Sequence, residues 1–122
     1  MLLLRTLVAA LSLCVPALAQ ADDAEILEVD AKMSGSAGWT FSVTLRHEDT
    51  GWDDYADGWE VVDRSGASLG LRTLFHPHVE EQPITRSLSG IRFPDEIDTV
   101  FVRARTNTDG WGAALFEVTL PR

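Results

Sequence analysis

Trp39-Thr40-Phe41-Ser42-Val43-Thr44-Leu45-Arg46-His47 is the stretch that decides the fold. Large apolar side chains and then His47 take every second position, and hydroxyls or a charge take the others. A period of two puts the apolar set on one face of a strand and the polar set on the other. The aromatic and β-branched content suits a pleated, half-buried surface. A helix would spread the same side chains around its circumference.

The pattern repeats on both sides. Upstream, Leu27, Val29, Ala31 and Met33 alternate with Glu28, Asp30 and Lys32, and residues 34–38 are turn material. Downstream, residues 48–58 form a polar loop. A third strand spans 59–63, with Trp59 and Val61 inward, and a tight reversal follows at 64–67. A fourth strand runs from Ser68 to Phe75 or His76, with Leu69, Leu71 and Phe75 on its apolar face. Residues 84–88 are a short fifth strand that Ser89-Gly90 breaks. Ile91, Phe93 and Pro94 read as a crossing segment that plugs one end of the core. Residues 99–106 are a sixth strand, with Val100, Val102 and Ala104 inward and Arg103 and Arg105 outward. After a turn at 107–112, Ala114, Phe116, Val118 and Leu120 complete a seventh. No run keeps a helical period. About seven short strands with Gly-rich turns predict an all-β fold, an antiparallel β-sandwich of the immunoglobulin or fibronectin type III-like kind.

The first residues, Met1-Leu2-Leu3-Leu4-Arg5, lead into an apolar run and then Pro16-Ala17-Leu18-Ala19. This is the pattern of a secretory signal peptide, residues 1–19, cleaved near Ala19 to leave a single domain over 20–122. The run is too short for a permanent membrane span. Cys14 raises a lipid-anchored alternative, but Leu13 stands before it where a lipobox carries a small residue, so a cleaved soluble form is expected, periplasmic or secreted. Cys14 is the sole cysteine, which leaves the predicted mature chain without a disulfide or a thiolate metal site. The whole chain carries 19 acidic and 10 basic residues, a net charge of −9. Such a chain repels nucleic acid and anionic lipid, so the expected partner is a cation, a basic protein or a neutral small ligand.

Two resemblances arise. Val100-Phe101-Val102-Arg103-Ala104-Arg105-Thr106 with Gly110-Trp111-Gly112 resembles the sixth strand and following turn of fibronectin type III domains. A longer set consists of His47, Thr50-Gly51-Trp52-Asp53, Tyr55-Ala56-Asp57, Trp59, Leu69-Gly70, His76-Pro77-His78-Val79, Glu81-Gln82-Pro83 and Thr85-Arg86-Ser87. It resembles a family of small exported bacterial β-sandwich proteins of unknown function. That resemblance implies the fold and the compartment and brings no activity.

Strand direction in such a sandwich gathers the loops 48–58, 77–83 and 107–112 at one pole, where binding residues usually reside. His76 and His78 are two apart in an extended segment and point the same way, and His47 ends a strand at the same pole. Three imidazoles suit copper or zinc, with Glu80, Glu81 or Asp49 beside them. Asp49, Asp53, Asp54 and Asp57 offer calcium-type oxygens, though not at EF-hand spacing. Trp52, Tyr55 and Trp111 could build an aromatic platform, and Asp53, Asp57 and Glu81 could line a ligand site with them. Each has a plain structural alternative: aspartates organise turns, histidines bond loop backbone, and aromatics close the end of a core. Arg86 is in phase with Ile84 and Leu88, so it is expected inward, paired with Glu81 or Asp57. There is no Gly-x-Ser-x-Gly elbow, phosphate loop or His-Glu-x-x-His helix. The expectation is a non-enzymatic binding or accessory module.

Overall fold

Strand β2 (Trp39–Arg46) runs through the centre of one sheet, and its alternation is the fold's clearest feature. Trp39, Phe41, Val43 and Leu45 are buried, while Thr40, Ser42 and Thr44 face outward. The structure, a computed structural model, describes residues 23–122. The predicted leader over 1–19, and Cys14 within it, lie outside the described residues. The remaining strands are β1 (Glu25–Met33), β3 (Ala56–Val62), β4 (Ser68–Thr73), β5 (Ile84–Ile91), β6 (Thr99–Thr106), β7 (Gly110–Trp111) and β8 (Phe116–Thr119).

Two antiparallel sheets result. The first has the order β1-β2-β5; in the second β4-β3-β6 is completed by β7 and β8, which share the far edge of β6. Phe41, Val43 and Leu45 of one sheet and Trp59, Val61, Val100 and Val102 of the other form a single core between them. Each such side chain contributes roughly 1.5–3 kcal/mol by leaving water. Trp39 closes one end and stacks on Phe93, ring centroids 5.7 Å apart. The outer face of the first sheet carries three cross-strand hydroxyl pairs: Thr40–Ser89, Ser42–Ser87 and Thr44–Thr85.

Three strands depart from the expected phase. In β1 the pairing steps from Ile26/Leu45 to Glu28/Thr44, so Leu27 is an extra, bulged residue. Ile26, Val29 and Ala31 therefore face the core, and Leu27 and Met33 are exposed. In β4 the inward phase belongs to Gly70, where an added Cβ would lie 3.1 Å from the Ile91 side chain. A glycine leaves no apolar mark in the sequence. Leu69, bulged where the pairing steps from Val61/Gly70 to Val62/Ser68, still packs against the core as expected, and only the expectation for Leu71 and Phe75 fails. Leu71 is exposed, Leu74 is buried just after the strand, and Phe75 points to solvent. In β5 Ser89-Gly90 does not end the strand. It is absorbed in a bulge, since Trp39 pairs with Ile91 and Phe41 with Leu88. Finally, the predicted seventh strand is shortened to β8, with Ala114 exposed ahead of it, and the predicted turn at 107–112 contains the short strand β7.

Leu45 pairs with Ile84, Gly58 with Thr73, and Ala56 with Thr106. These pairings bring three connections, 47–55, 74–83 and 107–109, to one end of the sandwich, as the strand directions predict. The first is shorter than expected because β3 begins at Ala56.

Candidate functional site

The three connections at this pole are bonded to one another. Their hub is Asp49, whose side chain is 0% exposed. Its Oδ1 accepts from the His47 ring Nδ1 at 2.6 Å and from the Ala56 N–H at 3.0 Å, and its Oδ2 accepts from the His78 N–H at 2.8 Å. A carboxylate can only accept, so the His47 proton in this bond sits on Nδ1. Buried charge is tolerable where hydrogen bonds replace its lost hydration, and three do so here. Gln82 doubles the link: its Oε1 accepts from the His47 N–H at 3.2 Å, and its Nε2 donates to the His78 carbonyl at 3.0 Å.

Asn107 joins the third connection to the first. Its Oδ1 accepts from the Tyr55 N–H at 2.8 Å, its Nδ2 donates to the Trp52 carbonyl at 2.9 Å, and its own N–H donates to the Tyr55 carbonyl at 3.1 Å. Thr108 Oγ1 adds a bond to Asp54 Oδ1 at 3.3 Å.

The histidines have separate surroundings. His78 is buried, and its Nε2 accepts from the Arg86 guanidinium at 3.0 Å, which places the ring proton on Nδ1. Burial, reinforced by the Arg86 charge and then by His76, holds the His78 pKa below the ordinary histidine value, with Asp49 and Glu81 opposing. His76 is exposed; its ring lies 4.6 Å from that of His78, and its Nδ1 is 3.3 Å from the Pro77 carbonyl. His47 Nε2 lies 3.6 Å from Asp54 Oδ1. Among the described residues no group of three or more His, Cys, Asp or Glu side chains is arranged to hold a metal ion. Arg86 takes His78 as its partner, not Glu81 or Asp57, because its guanidinium reaches the imidazole at the start of β5.

The aspartates expected to offer calcium oxygens are dispersed. Asp49 is the buried hub, Asp57 bonds Arg105 Nε at 3.0 Å, and Asp54 faces Thr108 and His47. Asp53 and Glu81 are exposed. The aromatics are dispersed too. Trp52 and Tyr55 meet edge to face, centroids 5.7 Å apart at 77°, so their rings present no common plane. Trp111 lies on the outer face of the second sheet, with Arg103 4.3 Å and Arg105 5.0 Å from its ring centroid. Arg103 is itself held by Glu60 at 2.6 Å.

Beside the exposed Asp53, His76, Glu80 and Glu81, the pole displays three large apolar side chains that face outward. Trp52 is 66% exposed, Phe75 75% and Val79 54%. Phe75 and Val79 are not among the predicted site residues: strand phase assigns Phe75 to the core, and Val79 is overshadowed by the histidines before it. Of the residues that tie the loops, Gln82 falls within the Glu81-Gln82-Pro83 match without a role assigned to it, and Asn107 carries no motif signal.

Comparison with known proteins gives a relative from Halomicrobium mukohataei named "Putative lipoprotein", 40% identical over 90 residues. The match takes in 74% of this chain and 44% of that protein, so the chain spans less than half of its relative's length. No family profile matches the chain. No solved structure matches it.

Proposed function

We propose that the chain is an exported, non-enzymatic binding or accessory module of the fibronectin type III-like kind, acting through the pole formed by connections 47–55, 74–83 and 107–109. The observation that carries this reading is the combination found there. The loops are cross-braced by Asp49, Gln82 and Asn107, yet Trp52, Phe75 and Val79 project from them into solvent. Large apolar side chains on a pre-ordered support lose little freedom on binding, which is where association gains most. The sheet order, with β1-β2-β5 opposite β4-β3-β6 and the split edge, supports the fibronectin type III-like assignment.

Export is supported by the signal-like start and by the relative's name. That name also supports a lipid anchor at Cys14, against which Leu13 still stands. Among the described residues no helix is long and apolar enough to cross a membrane. The non-enzymatic reading is supported by how the polar side chains are used: Asp49 serves backbone N–H groups, Asp57 serves Arg105, and His78 serves Arg86. A copper or zinc site at His47, His76 and His78 would require Arg86 to leave His78 Nε2, so metal binding is no part of the proposal. Addition of Cu²⁺ or Zn²⁺ is accordingly expected to leave the melting temperature unchanged.

The test is a photo-crosslinking residue placed at Trp52 or Phe75 in the producing cell, with the exposed Ala67 in the β3–β4 turn as the control. Discrete adducts from the pole positions alone are expected. Adducts from Ala67 alone, or from no position, defeat the proposal.

A further inference from the structure

We infer, building on the pole as the binding surface, that its occupant is a protein with apolar pockets rimmed by Lys and Arg, into which Trp52, Phe75 and Val79 insert. The first argument is shape. A small-molecule site is concave and buries most of its ligand. Here the apolar groups are the parts that project, at 54–75% exposure. The concavity must come from the other side, and a folded protein supplies it.

The second argument is charge. Asp53 follows Trp52 directly, and Glu80 and Glu81 follow Val79 directly; all three carboxylates are exposed. None of the three makes a hydrogen bond or ion pair among the described residues. The arginines nearest in sequence are committed, Arg86 to His78 and Arg105 to Asp57. Both loops that carry apolar projections therefore also carry unpaired carboxylates next to them in sequence. Such charge speeds encounter with a basic surface and repels nucleic acid and anionic lipid.

The third argument separates this partner from a sugar. Carbohydrate stacking needs a flat aromatic floor. Tyr55 meets Trp52 at 77°, and Trp111 is held between Arg103 and Arg105 on the sheet face. The two features together, projecting apolar anchors and unpaired carboxylates on the same loops, suit a protein-binding surface.

The experiment uses the chain carrying the photo-crosslinker at Trp52, incubated with envelope extract of the producing organism at about 50 and 500 mM NaCl, where the Debye length falls roughly threefold. Phosphatidylglycerol vesicles and cell-wall oligosaccharide are parallel arms. The expected result is an adduct peptide rich in Lys or Arg. Its yield falls about fivefold or more at high salt, and falls similarly in a D53N/E80Q/E81Q variant. Phe75→Asn in the same chain should abolish the adduct. An adduct that ignores salt and the charge variant overturns the basic partner and leaves the pole as the binding surface. Saturable binding to the vesicles or oligosaccharide, with no protein adduct, overturns it in favour of that class. No adduct and no binding in any arm defeats both the partner and the pole.

Discussion

Asp49 Oδ2 accepts the backbone N–H of His78 at 2.8 Å, joining two loops 29 residues apart in sequence. The same carboxylate bonds His47 and Ala56, so one buried side chain fixes the end of β2, the start of β3 and the approach to β5. The loops that display Trp52 and Val79 thus hold their relative positions through a charge that no solvent reaches.

Removing that carboxylate strands three donors at once. Asp49→Ala is expected to cost about 3–5 kcal/mol, since each buried unpaired donor carries a penalty of about 1–3 kcal/mol. Asp53→Asn, four residues on and exposed, should stay within about 0.5 kcal/mol. Urea melts of the two variants decide it. Equal losses would remove Asp49 from the centre of the pole.

Acid should weaken the fold through His78. Its folded pKa lies below the ordinary 6.5, so the unfolded chain takes up the proton more readily. The stability it contributes is full above pH 6.5 and is lost as pH falls from there through the lowered folded pKa. Asp63, whose pKa is lowered by the Ser65 hydroxyl and then by the Ala67 N–H, acts lower, as pH falls below the ordinary 3.8. His78→Gln should flatten the upper window and leave the lower one. A variant with the wild-type pH profile would show that His78 is not the group responsible.

Much of the architecture is legible in the sequence because alternation is uninterrupted in β2 and β6, and both lie between paired neighbours. Reading fails where the backbone adds a residue, at Leu27, or where the inward position is a glycine, at Gly70. The meeting of the loops follows from strand direction alone. Their bracing does not, because Asp49, Gln82 and Asn107 mostly bond backbone groups, and a backbone N–H is the same in every sequence. His47, Trp52, Tyr55, His76 and His78 do reach the pole, Trp111 lies on the sheet face, and the exposed Phe75 was hidden in an apparent strand.

Gly38 is required for two reasons. Its φ is +82°, and an added Cβ would lie 2.8 Å from the Ile91 carbonyl. Gly35 also has a positive φ, +57°, but with nothing within 4 Å. Both Ala variants carry the left-handed penalty, about 1–2 kcal/mol, and only Gly38→Ala adds a backbone clash. Thermal melts should therefore place Gly38→Ala below Gly35→Ala. The reverse order would mean that the close approach of β5 to this turn is wrong.

Leu74 and Phe75 are adjacent and have opposite surroundings: 3% and 75% exposed. Leu74 donates its N–H to the Asp57 carbonyl at 3.0 Å and packs into the core, which turns the next side chain outward. Leu74→Ala should cost about 2–4 kcal/mol through lost burial and the cavity left behind. Phe75→Asn should change stability by no more than about 0.5 kcal/mol, because little of its ring leaves water on folding. The same Phe75→Asn chain should lose its crosslinked partner at the pole. Denaturant melts and adduct yield, measured on the two variants, separate folding from binding at neighbouring positions. If Phe75→Asn unfolds the protein, the phase read from the alternation of Leu69, Leu71 and Phe75 is restored, and Phe75 ceases to be a binding residue.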